Sequence, residues 1–248
     1  GTCPPNLRFY VWTLPDKRSR WYSPTDVARA ASEIAAMDRS DVYVGVSLSD
    51  RARGKSQRVE LKHAAAIAGL WADVDIAHDE AHKKENYPAD EPAARELLDA
   101  VGARPTIVVH SGHGLQAWWL FREPWVFADA EERSAAAALA NRWNLTLRIR
   151  AAERGLTLDS VYDLSRVMRV PGTTNYKLAP VEVALRSLEP NVRYEPDDLE
   201  AFMAAHPQVV VAVTGVRRPV RPAGADPGLV QPGAGDRARL PRAVGAGP

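Results

Sequence analysis

The chain has 248 residues, of which 46% are hydrophobic and 25% are charged. This composition excludes a wholly disordered, collagenous or coiled-coil protein. The single cysteine, Cys3, excludes a disulfide framework and a zinc site built on several cysteines. Because no apolar run reaches the roughly 20 residues that span a bilayer, and no secretory signal is visible, we expect a cytoplasmic protein with no membrane partner.

The net charge of +1 is unevenly distributed along the chain. From residue 207 onward, six Arg and two Asp give +4, which leaves −3 for residues 1–206. The bulk charge of this body does not indicate nucleic-acid binding, so any such binding depends on local basic patches. Residues 207–248 are rich in Pro, Gly, Ala and Arg and have no extended hydrophobic period. We therefore predict a globular domain over 1–206 and a disordered tail or linker over 207–248.

Strand and helix signals alternate along the body. The predicted strands cover residues 7–14, 41–48, 69–76, 105–110, 115–121, 167–171 and 181–187. The predicted helices cover residues 24–39, 91–101, 128–154 and 196–205. This order predicts an α+β fold with a mixed or largely antiparallel sheet flanked by helices.

Two acids lie within the apolar strand pattern GLWADVDI, at residues 69–76. Because side chains alternate along a strand, Asp73 and Asp75 share one face. Adjacent carboxylates repel each other unless a cation lies between them, and Mg²⁺ prefers oxygen ligands. The pattern therefore favours a divalent metal site for phosphoryl transfer, and the alternative is a solvent-exposed face at a sheet edge.

A Gly-containing turn, Ser111-Gly112-His113-Gly114, separates two predicted strands. Its glycines let backbone amides approach an anion, and the hydroxyl and imidazole add further polar groups. A plain hairpin turn would use the same residue types. The aromatic strand that follows directly, with Trp118 and Trp119 on opposite faces, favours a buried functional turn.

The segment from residue 158 to residue 177 combines acids and bases within a short length. It contains Asp159, Asp163, Arg166, Arg169 and Lys177. One interpretation is surface ion pairing, which stabilises a fold little. The other is that Asp159 is a third metal ligand and that the basic side chains bind polyphosphate or a nucleic-acid backbone.

A basic loop precedes the acid pair and carries Arg51, Arg53, Lys55 and Arg58. As a charge run alone, it would be interpreted as a solvated loop. Ser49, Gly54, Lys55 and Ser56 also form a pattern similar to a degenerate P-loop, in which Ser49 replaces the first glycine. A P-loop NTPase is therefore one alternative function, although little chain is left before Asp73 for the helical crossover.

Three of these segments together resemble the archaeo-eukaryotic primase superfamily, specifically the primase-polymerase domains of phage and plasmid replication proteins. The order is an acid-x-acid on a strand, a Gly-containing turn, and a later acid followed by R-x-x-R-x-P-G-T-x-N-x-K. Residues 166–177, RVMRVPGTTNYK, match the last pattern position for position. The resemblance covers about residues 40–180 and implies a primase-polymerase core with an RRM-like catalytic half.

The resemblance implies a role for each matching residue. Asp73, Asp75 and Asp159 would be the catalytic acids and would bind Mg²⁺ or Mn²⁺, with Asp159 preferred over Asp163 because of its distance ahead of Arg166. The nucleotide-binding residues would be Ser111, Gly112, His113, Gly114, Gln116, Arg166, Arg169 and Lys177. The basic loop, with Arg51, Arg53, Lys55 and Arg58, would lie where the nucleotide and the template strand approach.

One position departs from the family pattern. The histidine that begins the outgoing strand and contacts the triphosphate is Gln116 here, and glutamine carries no positive charge and transfers no proton. Three outcomes are open: His113 takes over this role, the site binds nucleotide less tightly, or the site is inactive.

The implied activity is DNA-templated nucleotidyl transfer by two metal ions, for primer synthesis or DNA polymerisation in phage or plasmid replication. The implied partners are a single-stranded DNA template, nucleoside triphosphates and a replicative helicase acting in cis or in trans. The alternative from another class is a non-catalytic replication module that keeps the fold and binds single-stranded DNA or an origin. The Gln116 substitution favours this alternative.

Overall fold

A computed structural model describes residues 3–37, 39–78 and 86–204. The predicted tail over 207–248 and residue 205 of the last predicted helix lie outside the described residues. The strands are β1 (Phe9–Leu14), β2 (Arg18–Tyr22), β3 (Asp41–Gly45), β4 (Ser47–Ser49), β5 (Ala64–Asp75), β6 (Ile107–His110), β7 (Gly114–Val126), β8 (Val167–Arg169), β9 (Thr174–Asn175), β10 (Val181–Glu182) and β11 (Ala184–Leu188). The helices are α1 (Val27–Ala35), α2 (Glu91–Asp99), α3 (Ala130–Ala152) and α4 (Pro196–Ala204).

The larger sheet has five strands in the order β11-β6-β7-β5-β4, and each adjacent pair is antiparallel. One face of β5 and β7 is apolar, and α3 packs against it. Trp119 is fully buried on this face, where its ring meets Trp143 of α3 edge-on, with centroids 4.9 Å apart. The opposite face carries Trp71, which is also buried in the main hydrophobic core, and, further along β5, Asp73, so the predicted site lies on the face of the sheet opposite α3.

The smaller sheet has four strands in the order β2-β1-β3-β8, which are also antiparallel. Its outer face buries Val11, Tyr22 and Val42 against Ala30 of α1. On the other face, Trp12 of β1 lies directly opposite Tyr43 of β3. A third sheet pairs β9 with β10. The predicted α+β class with largely antiparallel sheets is therefore confirmed.

The predicted elements differ from the observed ones mainly in strand boundaries. The prediction missed β2, because Arg18 and Arg20 conceal its alternation. Strand β5 begins at Ala64, whereas the predicted strand begins at residue 69. The prediction missed the start of β5 because its first residues are alanines, which have a low intrinsic preference for strands. Helix α1 is shorter than predicted at both ends, because residues 24–26 form a 3₁₀ turn and the helix ends at Ala35 rather than at residue 39.

The P-loop alternative is wrong for this fold. A P-loop needs an α-helix directly after its strand and a crossover to a parallel strand. Between Ser49 and Ala64 the chain forms only a single 3₁₀ turn, Leu61–His63, and β4 pairs with β5 in the antiparallel sense. In the described ranges, no helix is both long and apolar enough to cross a membrane.

Candidate active site

A cavity of about 570 Å³ lies between the two larger sheets. Strands β5 and β7 form one wall, β1 and β3 form another, and the segment from residue 163 to residue 177 closes it. The described residues that line it are Trp12, Leu14, Tyr43, Arg58, Asp73, Asp75, Ser111, His113, Gln116, Asp163, Ser165, Arg166, Val167, Arg169, Asn175 and Lys177. The fold thus brings all three sequence motifs to one place.

The acid pair lies at the end of β5, on the face that borders the cavity. Asp73 is opposite Gln116 of β7, and Asp75 is opposite Gly114. Gly114 permits this close pairing, because a Cβ there would lie 2.4 Å from the carbonyl oxygen of Val74. Both predicted acids therefore face the cavity.

Burial raises the pKa of the Asp73 carboxyl above its ordinary range. The hydrogen bond from Gln116 and the positive charges of Arg166 and Arg169 act in the opposite direction, and the charge of Asp159 adds to the rise. The net effect is that the ionised form of the Asp73 carboxyl is destabilised. A bound cation would stabilise this ionised form.

The third predicted acid, Asp159, is not among the described residues that line the cavity. Its Oδ1 accepts a hydrogen bond from the hydroxyl of Tyr87 at 3.1 Å. Asp163 does line the cavity, and it forms an ion pair with Arg166 at 3.0 Å. Across the part of the chain that the structure describes, no three His, Cys, Asp or Glu side chains form a group suited to a metal ion. The place of Asp159 in a metal site remains a prediction.

The predicted nucleotide-binding turn uses its own amides internally. The Ser111 N–H donates to the Gly114 carbonyl at 2.8 Å, and the Gly112 N–H donates to Nδ1 of His110 at 3.2 Å. Gly112 has a φ of +102°, and a Cβ there would lie 2.8 Å from the side-chain nitrogen of Asn175. Both amides therefore already have acceptors within the protein, and anion binding by this turn remains a prediction.

His113 lines the cavity beside His78, with ring centroids 5.2 Å apart. Burial lowers the pKa of His113, and the nearby positive charges of Lys177 and Arg169 lower it further. The imidazole is therefore mainly neutral at pH 7. Lys177 is an exposed side chain at the cavity.

The two predicted phosphate-binding arginines have acidic partners within the protein. Nη1 of Arg169 donates to Oδ1 of Asp41 at 2.7 Å, and the guanidinium lies 4.8 Å from the centre of the Tyr43 ring. Arg169 is 9% exposed, so this contact is largely shielded from water. Arg166 pairs with Asp163. Phosphate binding by these arginines remains a prediction, and the observed geometry gives Arg169 a clear structural role.

The basic loop is fixed against β2, where the Ser19 N–H donates to the Lys55 carbonyl at 2.6 Å. Of its four basic residues, Arg58 is the one that lines the described cavity, with its guanidinium 5.7 Å from the centre of the Trp12 ring. Arg53 instead pairs with Asp50 at 2.6 Å. Arg58 therefore borders the cavity, whereas the other basic residues of this loop do not line it.

The residues that sequence reasoning missed at this site include Trp12, Tyr43 and Asp41. Trp12 and Tyr43 give the cavity an aromatic wall, but their meeting depends on the pairing of β1 with β3. Asp41 accepts hydrogen bonds at Oδ1 from Arg169 and from the backbone N–H of Tyr176, at 2.7 and 2.8 Å. No local pattern in the sequence distinguishes Asp41 from an ordinary polar residue at the start of a strand.

Comparison with solved structures gives the class of the fold. The AEP domain (PP-N190) of the primase-polymerase (PrimPol) of cyanophage S-2L is similar, with a TM-score of 0.50 and 15% sequence identity over 79% of this chain and 88% of that one. The α+β fold of this chain is therefore similar to that of an AEP primase-polymerase domain.

Two structures of the primase RepB′ are also similar, each at 18% identity. The catalytic domain in complex with initiator DNA has a TM-score of 0.46 and covers 85% of this chain and 90% of its own. The other has a TM-score of 0.45 and covers 84% of this chain and 59% of its own. No family model matches the chain. No curated protein matches it in sequence.

Proposed function

We propose that this domain catalyses DNA-templated nucleotidyl transfer, as primer synthesis or DNA polymerisation in the replication of a phage or plasmid. One observation carries the proposal: a cavity of about 570 Å³ has Asp73 and Asp75 on one wall and the cations Arg58 and Lys177 on others. Phosphoryl transfer needs this combination, because carboxylates hold metal ions and cations bind the phosphate groups.

The donor set fits a hard divalent cation, Mg²⁺ or Mn²⁺. Asp73 and Asp75 present carboxylate oxygens on one face of β5, and these are the ligands that such ions prefer. Asp159 is the proposed third ligand, because it matches the third acid of the primase-polymerase pattern, and its charge also raises the pKa of Asp73. When bound, the ions would supply activation of the attacking hydroxyl and neutralisation of the phosphate charge.

The protein side chains bind and orient the substrates. We propose that Arg58, Arg166 and Lys177 attract the triphosphate, with neutral His113 as a further hydrogen-bonding group at the same cavity. A single-stranded DNA template would approach along the basic loop, where Arg51, Lys55 and Arg58 are exposed. A replicative helicase partner remains part of this proposal.

A second function is supported by a specific observation. In the described residues, no group of three acidic or metal-binding side chains is assembled, and Arg166 and Arg169 already have acidic partners. A non-catalytic module that binds single-stranded DNA or an origin needs neither a metal nor a triphosphate site. This alternative keeps the fold and uses the basic loop.

Incorporation of labelled nucleotides on primed and unprimed templates, with Mg²⁺ or Mn²⁺, separates the two functions. We expect Asp73→Asn and Asp75→Asn each to lower incorporation by about 100-fold or more, because each removes a proposed metal ligand. Asp197→Asn on α4 is the matched control and should retain the parental rate. Parental activity in the double Asp73/Asp75 variant would contradict the acid assignment. DNA binding without incorporation by the parent would support the second function.

A further inference from the structure

The side chain of Gln116 connects the acid pair to the Arg-rich segment. Its Nε2 donates to Oδ1 of Asp73 at 3.4 Å, and its Oε1 accepts from the backbone N–H of Arg169 at 2.8 Å. Gln116 is 5% exposed, so water has little access to either hydrogen bond. One side chain on β7 thereby holds β5 on one side and β8 on the other.

The chemistry of these partners fixes the orientation of the amide. A backbone N–H can only donate, so the atom that faces Arg169 must be the oxygen. The amide nitrogen then faces Asp73, whose ionised carboxylate can only accept. The opposite orientation would place donor against donor and acceptor against acceptor, and both groups are buried enough to make that costly.

We propose that Gln116 is a positioning residue that fixes the rotation of the Asp73 carboxylate and its distance from β8. The inference rests on the proposed function only in assigning Asp73 a catalytic role. Ligating carboxylates are commonly oriented by an outer hydrogen-bond donor, whose loss typically costs 10–100-fold in metal affinity or activity. Gln116 can perform this role without a positive charge, because it needs one donor and one acceptor.

The same requirement explains which side chains can replace it. A neutral imidazole offers one N–H and one lone pair, so histidine can supply both contacts. Methionine has a similar length and fills the same space but supplies neither. The pair Gln116→His and Gln116→Met therefore separates hydrogen bonding from packing.

The kinetic test compares nucleotide incorporation by the parent and the two variants. Gln116→Met should lower kcat by about tenfold or more and leave KM for nucleotide within about twofold, since positioning acts on the transition state rather than on binding. Gln116→His should retain kcat within about threefold of the parent. A parental kcat in Gln116→Met, a raised KM with unchanged kcat, or equal loss in both variants would each overturn the proposal.

Thr106→Val is the matched control. The Thr106 hydroxyl is also fully buried, donating to the Val192 carbonyl at 2.9 Å and accepting from the Leu120 N–H at 3.0 Å. Its replacement removes a buried donor and acceptor outside the cavity. It should therefore lower stability as Gln116→Met does, while kcat stays at the parental value. A similar fall in kcat would attribute the Gln116 effect to general destabilisation and overturn the proposal.

A second measurement does not depend on activity. In proton–nitrogen NMR spectra without metal, Gln116→Met should move the backbone amide proton of Arg169 upfield, because it loses its acceptor. Asp73→Ala should move the side-chain amide protons of Gln116 upfield and leave the Arg169 amide in place. Absence of either shift would overturn the connection itself. If both shifts appear while the parent incorporates no nucleotide, the proposed function fails and the connection between the strands stands.

Discussion

The side-chain amide of Asn175 donates a hydrogen bond to the carbonyl oxygen of Ser111 at 2.7 Å. The two residues lie in different motifs, and Asn175 is 2% exposed. Its Oδ1 also accepts from the Lys177 N–H at 2.9 Å. One asparagine therefore holds the Gly-containing turn and the end of the Arg-rich segment together.

We expect Asn175→Ala to destabilise the protein by about 1–3 kcal/mol, because it leaves the buried Ser111 carbonyl without its donor. Chemical denaturation measures the change. Asn141→Ala, on the exposed side of α3, is the control and should change stability by less than about 0.5 kcal/mol. Equal stability of the two variants would show that the Asn175 contact contributes nothing to the fold.

Arg169 and Lys177 should respond differently to substitution, although both belong to the predicted nucleotide site. Arg169→Met leaves the mostly buried Asp41 carboxylate without its cationic partner and should cost about 3–5 kcal/mol. Lys177→Met changes an exposed side chain and should lower nucleotide affinity with less than about 0.5 kcal/mol of destabilisation. Denaturation and nucleotide binding, measured on the same two variants, give both quantities. A stable Arg169→Met protein would contradict the structural role of the Arg169–Asp41 pair.

Arg58 and Arg53 form a matched pair within the basic loop. Arg58 reaches the cavity, whereas the Arg53 side chain is 10% exposed and pairs with Asp50. We expect Arg58→Ala to weaken binding of a single-stranded oligonucleotide and to reduce the slope of log affinity against log salt by about 1. Arg53→Ala should leave that slope unchanged. The reverse result would mean that Arg53, rather than Arg58, contacts the DNA.

The Gly-containing turn at residues 111–114 should make the protein less stable at low pH, because of its neighbour His110. Burial lowers the pKa of His110, and the charge of Arg186 lowers it further against the opposing effect of Glu91. The unfolded chain therefore takes up this proton at a higher pH than the folded protein, so His110 costs stability as the pH falls below about 6.5. Protonation at Nδ1 would also remove the acceptor for the Gly112 N–H. His110→Asn, which retains an acceptor and does not titrate, should lose less stability between pH 7 and pH 5 than the parent in denaturation curves. Parallel pH profiles would contradict this role.

Patterns within one segment predicted the parts of the site that depend on one element. The alternation of residues 69–76 placed Asp73 and Asp75 on one face, and the strand that follows the glycine turn placed Trp118 and Trp119 on opposite faces. The α+β class followed from the order of such segments. These features depend on side-chain period and turn chemistry, which are local properties of the chain.

The partners of these residues were not predictable, because they come from distant parts of the chain. Asp41 meets Arg169 only because β3 pairs with β8, and Trp12 meets Tyr43 only because β1 pairs with β3. The charge pattern of the Arg-rich segment resembles a free phosphate-binding surface until these pairings are known. Tertiary pairing thus makes Arg169, a predicted ligand, an ion-paired side chain that lines the cavity.

A single oxygen atom of Asp41 closes the loop between β8 and β9. Because Oδ1 receives hydrogen bonds from both Arg169 and the Tyr176 backbone, the two ends of that loop are held at one point. An inserted or deleted residue between positions 169 and 176 would pull one donor away, and with it either the ion pair or the register that brings Asn175 to Ser111. The site therefore requires a loop of this length. Among proteins that share the site, we expect the residues within the loop to vary more than its length.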